Sequence, residues 1–256
     1  MTRSGDAHRG GDPMTLLLLH GLGGNAGVWA STADLLGGGE LAGPGWLALD
    51  LPGHGYAAPL PAYTYPACAQ EVAAALPADT EIDVLGHSFG GVVGLALAAL
   101  RPVRSVVTLG MRVVWPAEFV AALAGLAAKP PRAFSKRAEA AAFLLRINGL
   151  GDLLAEDSEF VRRGLREDAD GRWWLQNDPR ALGVGEPPFD ELLVAATTAG
   201  TTVTLAHGTD DTMVAVGDYD GLAARHGAST LVLPGLGHNA HVEDPRAVLD
   251  LLGATA

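Results

Sequence analysis

Short apolar runs alternate with helix-like stretches along most of this 256-residue chain. Each run is short and continuous and ends at or near a glycine, the pattern of a strand that is buried on both faces of a parallel sheet. The runs span 15–21, 45–53, 81–87, 104–110, 201–208 and 229–235. Strands that alternate with helices are joined by right-handed crossovers. The sequence therefore predicts an α/β fold whose mostly parallel, doubly wound sheet has helices on both faces.

The interval 114–198 breaks this alternation. It contains no convincing buried strand, but "PAEFVAALAGLAAK" and "SKRAEAAAFLLRING" both have helical patterns. We therefore predict a helical cap inserted between two strands of a core that comprises 14–113 and 199–256. Residues 1–13 are polar and rich in glycine, and we expect them to form a flexible tail.

The predicted cap is unusually rich in large aromatic residues. It holds eight of the chain's eleven Phe and Trp residues: Trp115, Phe119, Phe134, Phe143, Phe160, Trp173, Trp174 and Phe189. Such a concentration suits a lid over an apolar pocket, and it equally suits a small helical layer that needs a core of its own. From this set we predict that four residues line a substrate pocket, namely Trp115, Phe119, Phe143 and Trp174.

The charge and cysteine content exclude several classes of partner. A net charge of -12 and a pI near 5.0, with no local run of basic residues, argue against a nucleic-acid partner. The apolar runs are too short to span a membrane. Cys68 is the only cysteine, so no intrachain disulfide can form, and we expect it to be a small buried hydrophobic residue of a helix. A cytoplasmic protein without a membrane partner fits this composition.

The segment "GHSFG" places Ser88 between a strand and a helix. A strand that turns directly into a helix forces its corner residue into strained backbone geometry, and this corner has small neighbours, Gly86 and Gly90. The side chain of Ser88 would then stand above the carboxyl edge of the sheet, at the N-terminus of the next helix. A serine hydroxyl is a weak nucleophile, so it needs a nearby base and a third group that holds the base.

Two later segments offer these groups. "AHGTDDTMV" follows the fifth predicted strand and carries Asp210 and Asp211, and "LPGLGHNAHVEDP" follows the sixth and carries His238. Both segments follow the carboxyl ends of strands, where open α/β sheets place their ligands. The chain order of serine, aspartate and histidine is that of the α/β-hydrolases.

Together these segments make the chain resemble a serine hydrolase of the α/β-hydrolase fold superfamily. The motifs that carry the resemblance are "LLLLHGLGG", "DLPGHG", "GHSFGG", "HGTDDTMV" and "GLGHNAHVEDP", and they extend from about residue 14 to the end of the chain. The resemblance implies a catalytic triad of Ser88, Asp211 and His238, with Asp211 preferred over Asp210 and His238 over His241.

The same resemblance implies the remaining parts of the site. The "HG" motif points to the backbone N–H of Leu22 as one oxyanion donor, and the second is the N–H of Phe89. Family members often have two further strands before the "HG" strand. Because only thirteen polar residues precede Met14 here, we expect a shortened sheet of six strands, or seven.

The other histidines and glycines suggest no cofactor. His20, His54, His87 and His207 lie at turns and are interpreted as hydrogen-bonded structural residues. The sequence offers no cluster with metal-ligand spacing, and "HGLGGNAG" lacks the spacing of a nucleotide-binding loop. We therefore predict neither a metal nor another cofactor.

These observations lead to a prediction of acyl-transfer chemistry on a small molecule. We expect a hydrolase that cleaves a small-to-medium, apolar carboxylic ester, or a thioester or lactone, through an acyl-enzyme on Ser88. Serine rather than aspartate at this position argues against dehalogenase and epoxide-hydrolase chemistry. A carbon–carbon bond hydrolase, a cofactor-free perhydrolase and a ligand receptor without activity remain alternatives.

Overall fold

The structure is a computed structural model. It describes residues 15–37, 41–43, 45–78 and 80–254. In these ranges the strands are β1 (Thr15–Leu19), β2 (Ala42–Gly43), β3 (Trp46–Leu49), β4 (Ile82–His87), β5 (Ser105–Leu109), β6 (Ala133–Phe134), β7 (Leu165–Glu167), β8 (Trp173–Leu175), β9 (Thr202–Gly208) and β10 (Ser229–Leu233). The predicted tail, residues 1–13, lies outside the described residues.

The α-helices of the same ranges alternate with most of these strands. They are α1 (Ala30–Leu35), α2 (Tyr65–Ala74), α3 (Phe89–Ala98), α4 (Ala117–Ala127), α5 (Arg137–Ile147), α6 (Glu159–Gly164), α7 (Phe189–Thr198), α8 (Val216–His226), α9 (Ala240–Glu243) and α10 (Pro245–Ala254). Two short 3₁₀ helices occupy Ala26–Trp29 and Pro179–Gly183.

The main sheet has seven strands in the order β10-β9-β5-β4-β1-β3-β2. Every neighbouring pair is parallel except β2 with β3, which is antiparallel. The prediction of a mostly parallel α/β sheet of six or seven strands is therefore confirmed. All six predicted strands are present, and the seventh is the two-residue β2 at one edge, between β1 and β3 in the chain.

Two apolar clusters cover the two faces of this sheet. Along β1, Leu17 and Leu19 pack into one cluster while Leu18 packs into the other, because successive side chains of a strand point to opposite faces. Helices α2, α3, α7 and α8 contribute to the first cluster, and α1, α5, α6 and α10 contribute to the second. The sequence forms continuous apolar strands because both faces of the sheet are buried. Cys68 is fully buried in α2, and burial raises the pKa of its thiol to about 11.

The insertion between β5 and β9 is less purely helical than we expect from the sequence. It contains a second, antiparallel sheet in the order β6-β8-β7, whose strands are only two or three residues long. Strands this short show no alternation that could reveal them. The last helix of the insertion, α7, packs its Leu192 and Leu193 into the cluster that also contains α3. The predicted cap range therefore includes one helix that packs with the core.

Ion pairs join the insertion to the core, and the more buried one involves Asp50. Asp50, which follows β3, accepts from Arg163 Nη2 of α6 at 2.6 Å and from the backbone N–H groups of Ala26 and Tyr56. Although burial opposes ionisation of Asp50, these hydrogen bonds lower its pKa below the ordinary value. Of the helices in the described ranges, none is both long and apolar enough to cross a membrane.

Candidate active site

Ser88 lies at the sharp corner between β4 and α3. Its backbone has a φ of 48° and a ψ of -114°, and it is the sole non-glycine residue with positive φ in the described ranges. The backbone N–H of Ser88 donates to the carbonyl of Leu109 at 2.8 Å, which ties the corner to the neighbouring strand β5. Strained residues of this kind persist where the surrounding structure holds them, and they cluster at functional sites.

The two glycines of "GHSFG" are required by close backbone contacts. A Cβ atom on Gly86 would lie 2.5 Å from the carbonyl oxygen of Gly90. A Cβ atom on Gly90 would lie 2.5 Å from the carbonyl oxygen of Leu19. The glycine spacing of this strand-to-helix turn therefore follows from packing on both sides of Ser88.

The second part of the site is a hydrogen-bonded pair of His238 and Asp211. His238 Nδ1 lies 3.0 Å from Asp211 Oδ2, and the side chain of Asp211 is fully buried. The other carboxylate oxygen of Asp211 accepts from the backbone N–H of Met213 at 2.8 Å. Asp210 points elsewhere: its carboxylate is exposed and accepts from the hydroxyl of Thr209. The structure thus brings Asp211, rather than Asp210, to His238.

This pair fixes the proton on the imidazole of His238. Because a carboxylate oxygen can only accept, Nδ1 of His238 carries the proton that is shared with Asp211. The remaining nitrogen, Nε2, is then the basic one. The backbone carbonyl of His238 also accepts from His87 Nε2 at 3.0 Å, so the adjacent residue of the serine corner helps to hold the histidine loop.

Ser88 and His238 line the same cavity, of about 630 Å³. Leu22 and Phe89, whose backbone N–H groups are the predicted oxyanion donors, line it as well. Phe89 is the first residue of α3, where backbone N–H groups have no partner within the helix. In the described part of the chain, no hydrogen bond joins Ser88 to His238; such bonds are often long in unliganded enzymes.

The predicted pocket aromatics divide into two groups. Trp115, Phe119 and Phe143 line the cavity, together with Phe160, which the prediction omitted. Trp174 does not line it. Its Nε1 donates to Asp168 at 2.8 Å, and the guanidinium groups of Arg166 and Arg172 lie against its ring. Trp174 belongs to β8, and the direction of its side chain follows from the small sheet that the sequence did not reveal.

The three remaining aromatics of the insertion pack elsewhere. Phe134 is buried in the second cluster and Phe189 in the first, and Trp173 packs against the second cluster with Arg137 near its ring. Half of the eight aromatic residues thus line the cavity and half do not. A lid accounts for the half that lines the cavity, whereas Phe134, Trp173 and Phe189 pack with the two clusters of the main sheet.

The histidines interpreted as structural are buried and hydrogen-bonded. His20 Nδ1 donates to the carbonyl of Gly21 and its Nε2 accepts from the N–H of Leu51, and His54 makes the corresponding pair of bonds with Pro52 and Gly23. Burial lowers the pKa of His20 to about 3, with a further contribution from His54. His207 Nδ1 donates to the carbonyl of Gly208 at 2.9 Å.

His241 differs from these four histidines. Its buried ring packs against Trp29 and His87, with ring centroids 4.7 Å and 4.2 Å away. Neither of its ring nitrogens has a hydrogen-bond partner among the described residues, although the ring borders the cavity. Burial, with the nearby ring of His238, lowers the pKa of His241 to about 3. It is therefore a neutral histidine beside the candidate site.

Several polar residues of the site could not be found from the sequence. Asn239, next to His238, donates to the carbonyls of Asn148 and Gly149, while Asn148 Nδ2 is 3.4 Å from the carbonyl of Gly23. These bonds connect the histidine loop, the cap and the turn that carries Leu22. The cavity also has three basic lining residues, Arg112, Lys129 and Arg132. Within the described ranges, no three His, Cys, Asp or Glu side chains are grouped as metal ligands.

A seven-stranded, mostly parallel sheet with an insertion after β5 and a strained serine after β4 defines an α/β-hydrolase fold. A family model described as "Alpha/beta hydrolase family" matches residues 16–251. The chain therefore belongs to the alpha/beta hydrolase family and is a hydrolase.

A curated relative matches over a shorter range. The dihydrolipoyllysine-residue acetyltransferase component of the acetoin cleaving system from Cupriavidus necator is 36% identical over 116 residues. This match covers 44% of the chain and 29% of that protein, so the chain spans less than two thirds of that relative's length.

Solved structures share the fold over most of the chain. An esterase of Mycobacterium tuberculosis has a TM-score of 0.73 at 23% identity, covering 96% of this chain and 85% of that one. The thioesterase domain from the curacin biosynthetic pathway has a TM-score of 0.71 at 21% identity, with 94% and 91% covered. E-2-(acetamidomethylene)succinate hydrolase has a TM-score of 0.73 at 20% identity, with 95% and 91% covered. At these identities the similarity concerns the fold.

Proposed function

We propose that the chain is a serine hydrolase that cleaves a small-to-medium carboxylic ester through an acyl-enzyme on Ser88. The observation that carries the proposal is the hydrogen bond of 3.0 Å between His238 and Asp211 at a cavity that Ser88 also lines. The strained backbone of Ser88 supports it, because such a corner displays a nucleophile at the end of a strand.

In the first half of the reaction, Ser88 Oγ attacks the ester carbonyl while its proton passes to Nε2 of His238. Asp211 holds Nδ1–H of the same ring and stabilises the imidazolium that forms. The C–O bond to the alcohol then breaks, and the alcohol leaves with the proton from Nε2. In the second half, a water molecule gives its proton to Nε2 and attacks the acyl carbon. The bond between the acyl carbon and Oγ then breaks, Oγ takes the proton from Nε2, and the acid is released.

The negative charge on the carbonyl oxygen needs donors in both halves. The backbone N–H groups of Leu22 and Phe89 are the proposed donors, and the loss of one such donor costs about 3 kcal/mol in other enzymes. Because the donors are backbone groups, Leu22→Ala and Phe89→Leu keep them. Both substitutions change the cavity wall, so their main effect is expected on KM.

The size and the lining of the cavity support this substrate class. Its size lies within the range of ordinary small-molecule sites, and much of its lining is aromatic or aliphatic, including Trp115, Phe119 and Phe143. Such a wall binds an apolar chain by burying it. The names of two of the structures with the same fold, an esterase and a thioesterase domain, agree with cleavage of an ester or a thioester.

The test combines covalent labelling with turnover. We expect a fluorophosphonate probe to label the parent protein at Ser88, and a series of p-nitrophenyl esters from acetate to decanoate to give the preferred chain length. Ser88→Ala is expected to abolish labelling and to lower kcat/KM by at least about 10⁴-fold, because removal of the nucleophile removes the acyl-enzyme route.

Circular dichroism would confirm that Ser88→Ala is folded. If folded Ser88→Ala hydrolyses these esters at the parental rate, the proposal is wrong. If the folded parent protein is neither labelled nor active on any ester, thioester or lactone, the site binds a ligand without cleaving it.

A further inference from the structure

The charged side chains that line the cavity are all basic. They are Arg112, Lys129 and Arg132, and the described lining residues include neither aspartate nor glutamate. This contrasts with the whole chain, in which 29 acidic residues outnumber 17 lysines and arginines. The cavity is thus a local basic region in an acidic protein.

These three basic residues also lack acidic partners. Among the described residues, no carboxylate lies within 4.0 Å of any of them, whereas six other arginines form ion pairs: Arg104, Arg162, Arg163, Arg172, Arg180 and Arg225. Unpaired cations that face one cavity raise the local concentration of an anion there and leave their donors free to bind it.

Arg112 is held at the cavity by its surroundings. It follows β5 closely, at the carboxyl edge of the sheet where Ser88 and Asp211 also lie. Its carbonyl accepts from Trp115 Nε1 at 2.8 Å, and its guanidinium lies 4.5 Å from the centroid of the Phe119 ring. Nε of Arg112 is buried without a hydrogen-bond partner among the described residues. A buried donor without an acceptor is unfavourable. The described residues give the Arg112 guanidinium no hydrogen-bond acceptor.

Lys129 and Arg132 approach the same cavity from the cap. Lys129 follows α4, and Arg132 precedes β6 with its guanidinium 4.7 Å from the Phe134 ring and 5.2 Å from the Phe143 ring. Both residues are exposed overall, so their charges act on a ligand at the cavity wall and are weakened by salt.

From this arrangement, and resting on the function proposed above, we infer that the substrate is an amphiphilic ester or thioester that carries a carboxylate or phosphate group. Ser88 attacks its carbonyl, the aromatic wall covers its apolar part, and Arg112, Lys129 and Arg132 bind its anionic group. A neutral ester of the same length lacks this last contact and reacts more slowly.

Two sets of esters test the inference and distinguish the position of the charge. In the acyl set, mono-p-nitrophenyl adipate is compared with its neutral methyl ester. In the alcohol set, 4-carboxyphenyl and 4-phosphonooxyphenyl butyrate are compared with 4-(methoxycarbonyl)phenyl butyrate. We expect kcat/KM for the anionic member to exceed that for the neutral member by about tenfold in at least one set, as charge-assisted hydrogen bonds would give.

Substitutions separate this preference from the intrinsic reactivity of each ester. Arg112→Met is expected to lower the ratio of anionic to neutral kcat/KM by about tenfold, and Lys129→Gln and Arg132→Gln by less, because their charges are exposed. Arg166→Met is the matched control for Arg112, since Arg166 also lies over an aromatic ring, 5.4 Å from Trp174, but does not line the cavity. Lys136→Gln is the control for Lys129, because Lys136 is also exposed but does not line the cavity. Both controls should keep the parental ratio.

Ionic strength provides a measurement that needs no variant. The ratio of anionic to neutral kcat/KM in the parent protein should fall as salt rises from about 0.01 M to about 1 M, since the screening length shrinks from about 30 Å to about 3 Å.

If neutral esters are cleaved in a Ser88-dependent manner but this ratio stays near one in both sets, the inference is wrong and the proposed function stands. If Ser88→Ala retains the parental activity, the proposed function itself is wrong. If Arg112→Met does not fold, the salt dependence and Arg132→Gln decide.

Discussion

At the scale of single residues, Asp211 and its neighbour Asp210 show how one position in a loop determines a role. Asp211 is buried, with one carboxylate oxygen on His238 and the other on the N–H of Met213. Asp210, one residue earlier, is exposed and contacts the hydroxyl of Thr209. The same side-chain chemistry therefore orients an imidazole in one case and faces solvent in the other.

This difference gives a matched pair of variants. Asp211→Asn preserves size and can still accept from Met213, but its amide would present a donor to Nδ1 of His238 and favour the wrong tautomer. We expect kcat to fall by about 10⁴-fold, the loss known for this exchange in another serine hydrolase. Asp210→Asn should keep the parental kcat. Steady-state kinetics on a p-nitrophenyl ester measures both, and equal effects of the two substitutions would contradict the assignment of Asp211.

Some residues of the site were predictable because their roles depend on position in the chain. Ser88, Asp211 and His238 each follow a strand, and parallel strands bring their carboxyl ends to one edge of the sheet. Arg112 also follows a strand, β5, but no motif marks it, and Asn148 reaches the cavity through the cap. The direction of a side chain within an irregular segment has no sequence period to reveal it.

At the scale of elements, α6 contacts the loop after β3 through one of its two neighbouring arginines. Arg163 forms the 2.6 Å ion pair with Asp50, and both side chains are mostly buried. Arg162 pairs with Glu159 at 3.0 Å, but more than half of its side chain is exposed. Ion pairs in water contribute little, whereas removal of one partner of a buried pair leaves a charge without compensation.

We therefore expect Arg163→Met to lower the free energy of unfolding by about 2 kcal/mol, since Asp50 keeps its two backbone hydrogen bonds. Arg162→Met should change it by less than about 0.5 kcal/mol. Urea denaturation followed by tryptophan fluorescence measures both variants under the same conditions. A loss of similar size in the two variants would show that the pair with Asp50 does not hold α6 to the core.

The elements of the core were predictable from the sequence because each strand is apolar on both faces and ends at a turn. The small sheet β6-β8-β7 was not, since Ala133–Phe134 and Trp173–Leu175 are too short to show alternation and their partners are distant in the chain. The sequence assigns α7 to the cap as part of 114–198 and does not reveal that this helix packs on the core.

At the scale of the whole molecule, four buried histidines make stability depend on pH. They are His20, His54, His87 and His241, and burial is the main cause that lowers the pKa of each. In the unfolded chain each returns to an ordinary value near 6.5. Between about pH 6.5 and about pH 3 the unfolded state therefore binds more protons than the folded state, and stability falls as the pH falls.

The size of the effect can be estimated for the two histidines whose folded pKa is about 3, His20 and His241. At about pH 5 each would contribute roughly 2 kcal/mol less to stability than at about pH 7.5, because one pKa unit corresponds to about 1.4 kcal/mol. Urea denaturation at about pH 7.5, 6 and 5 should show this loss well above the range in which carboxylates titrate.

His241→Phe keeps a ring beside Trp29 and His87 but cannot bind a proton, so proton uptake on unfolding should fall by about one near pH 5. If the free energy of unfolding of the parent protein is the same at about pH 7.5 and 5, these rings accept protons in the folded state. If His241→Phe keeps the parental slope of this free energy against pH, the packing around His241 is looser than its burial indicates.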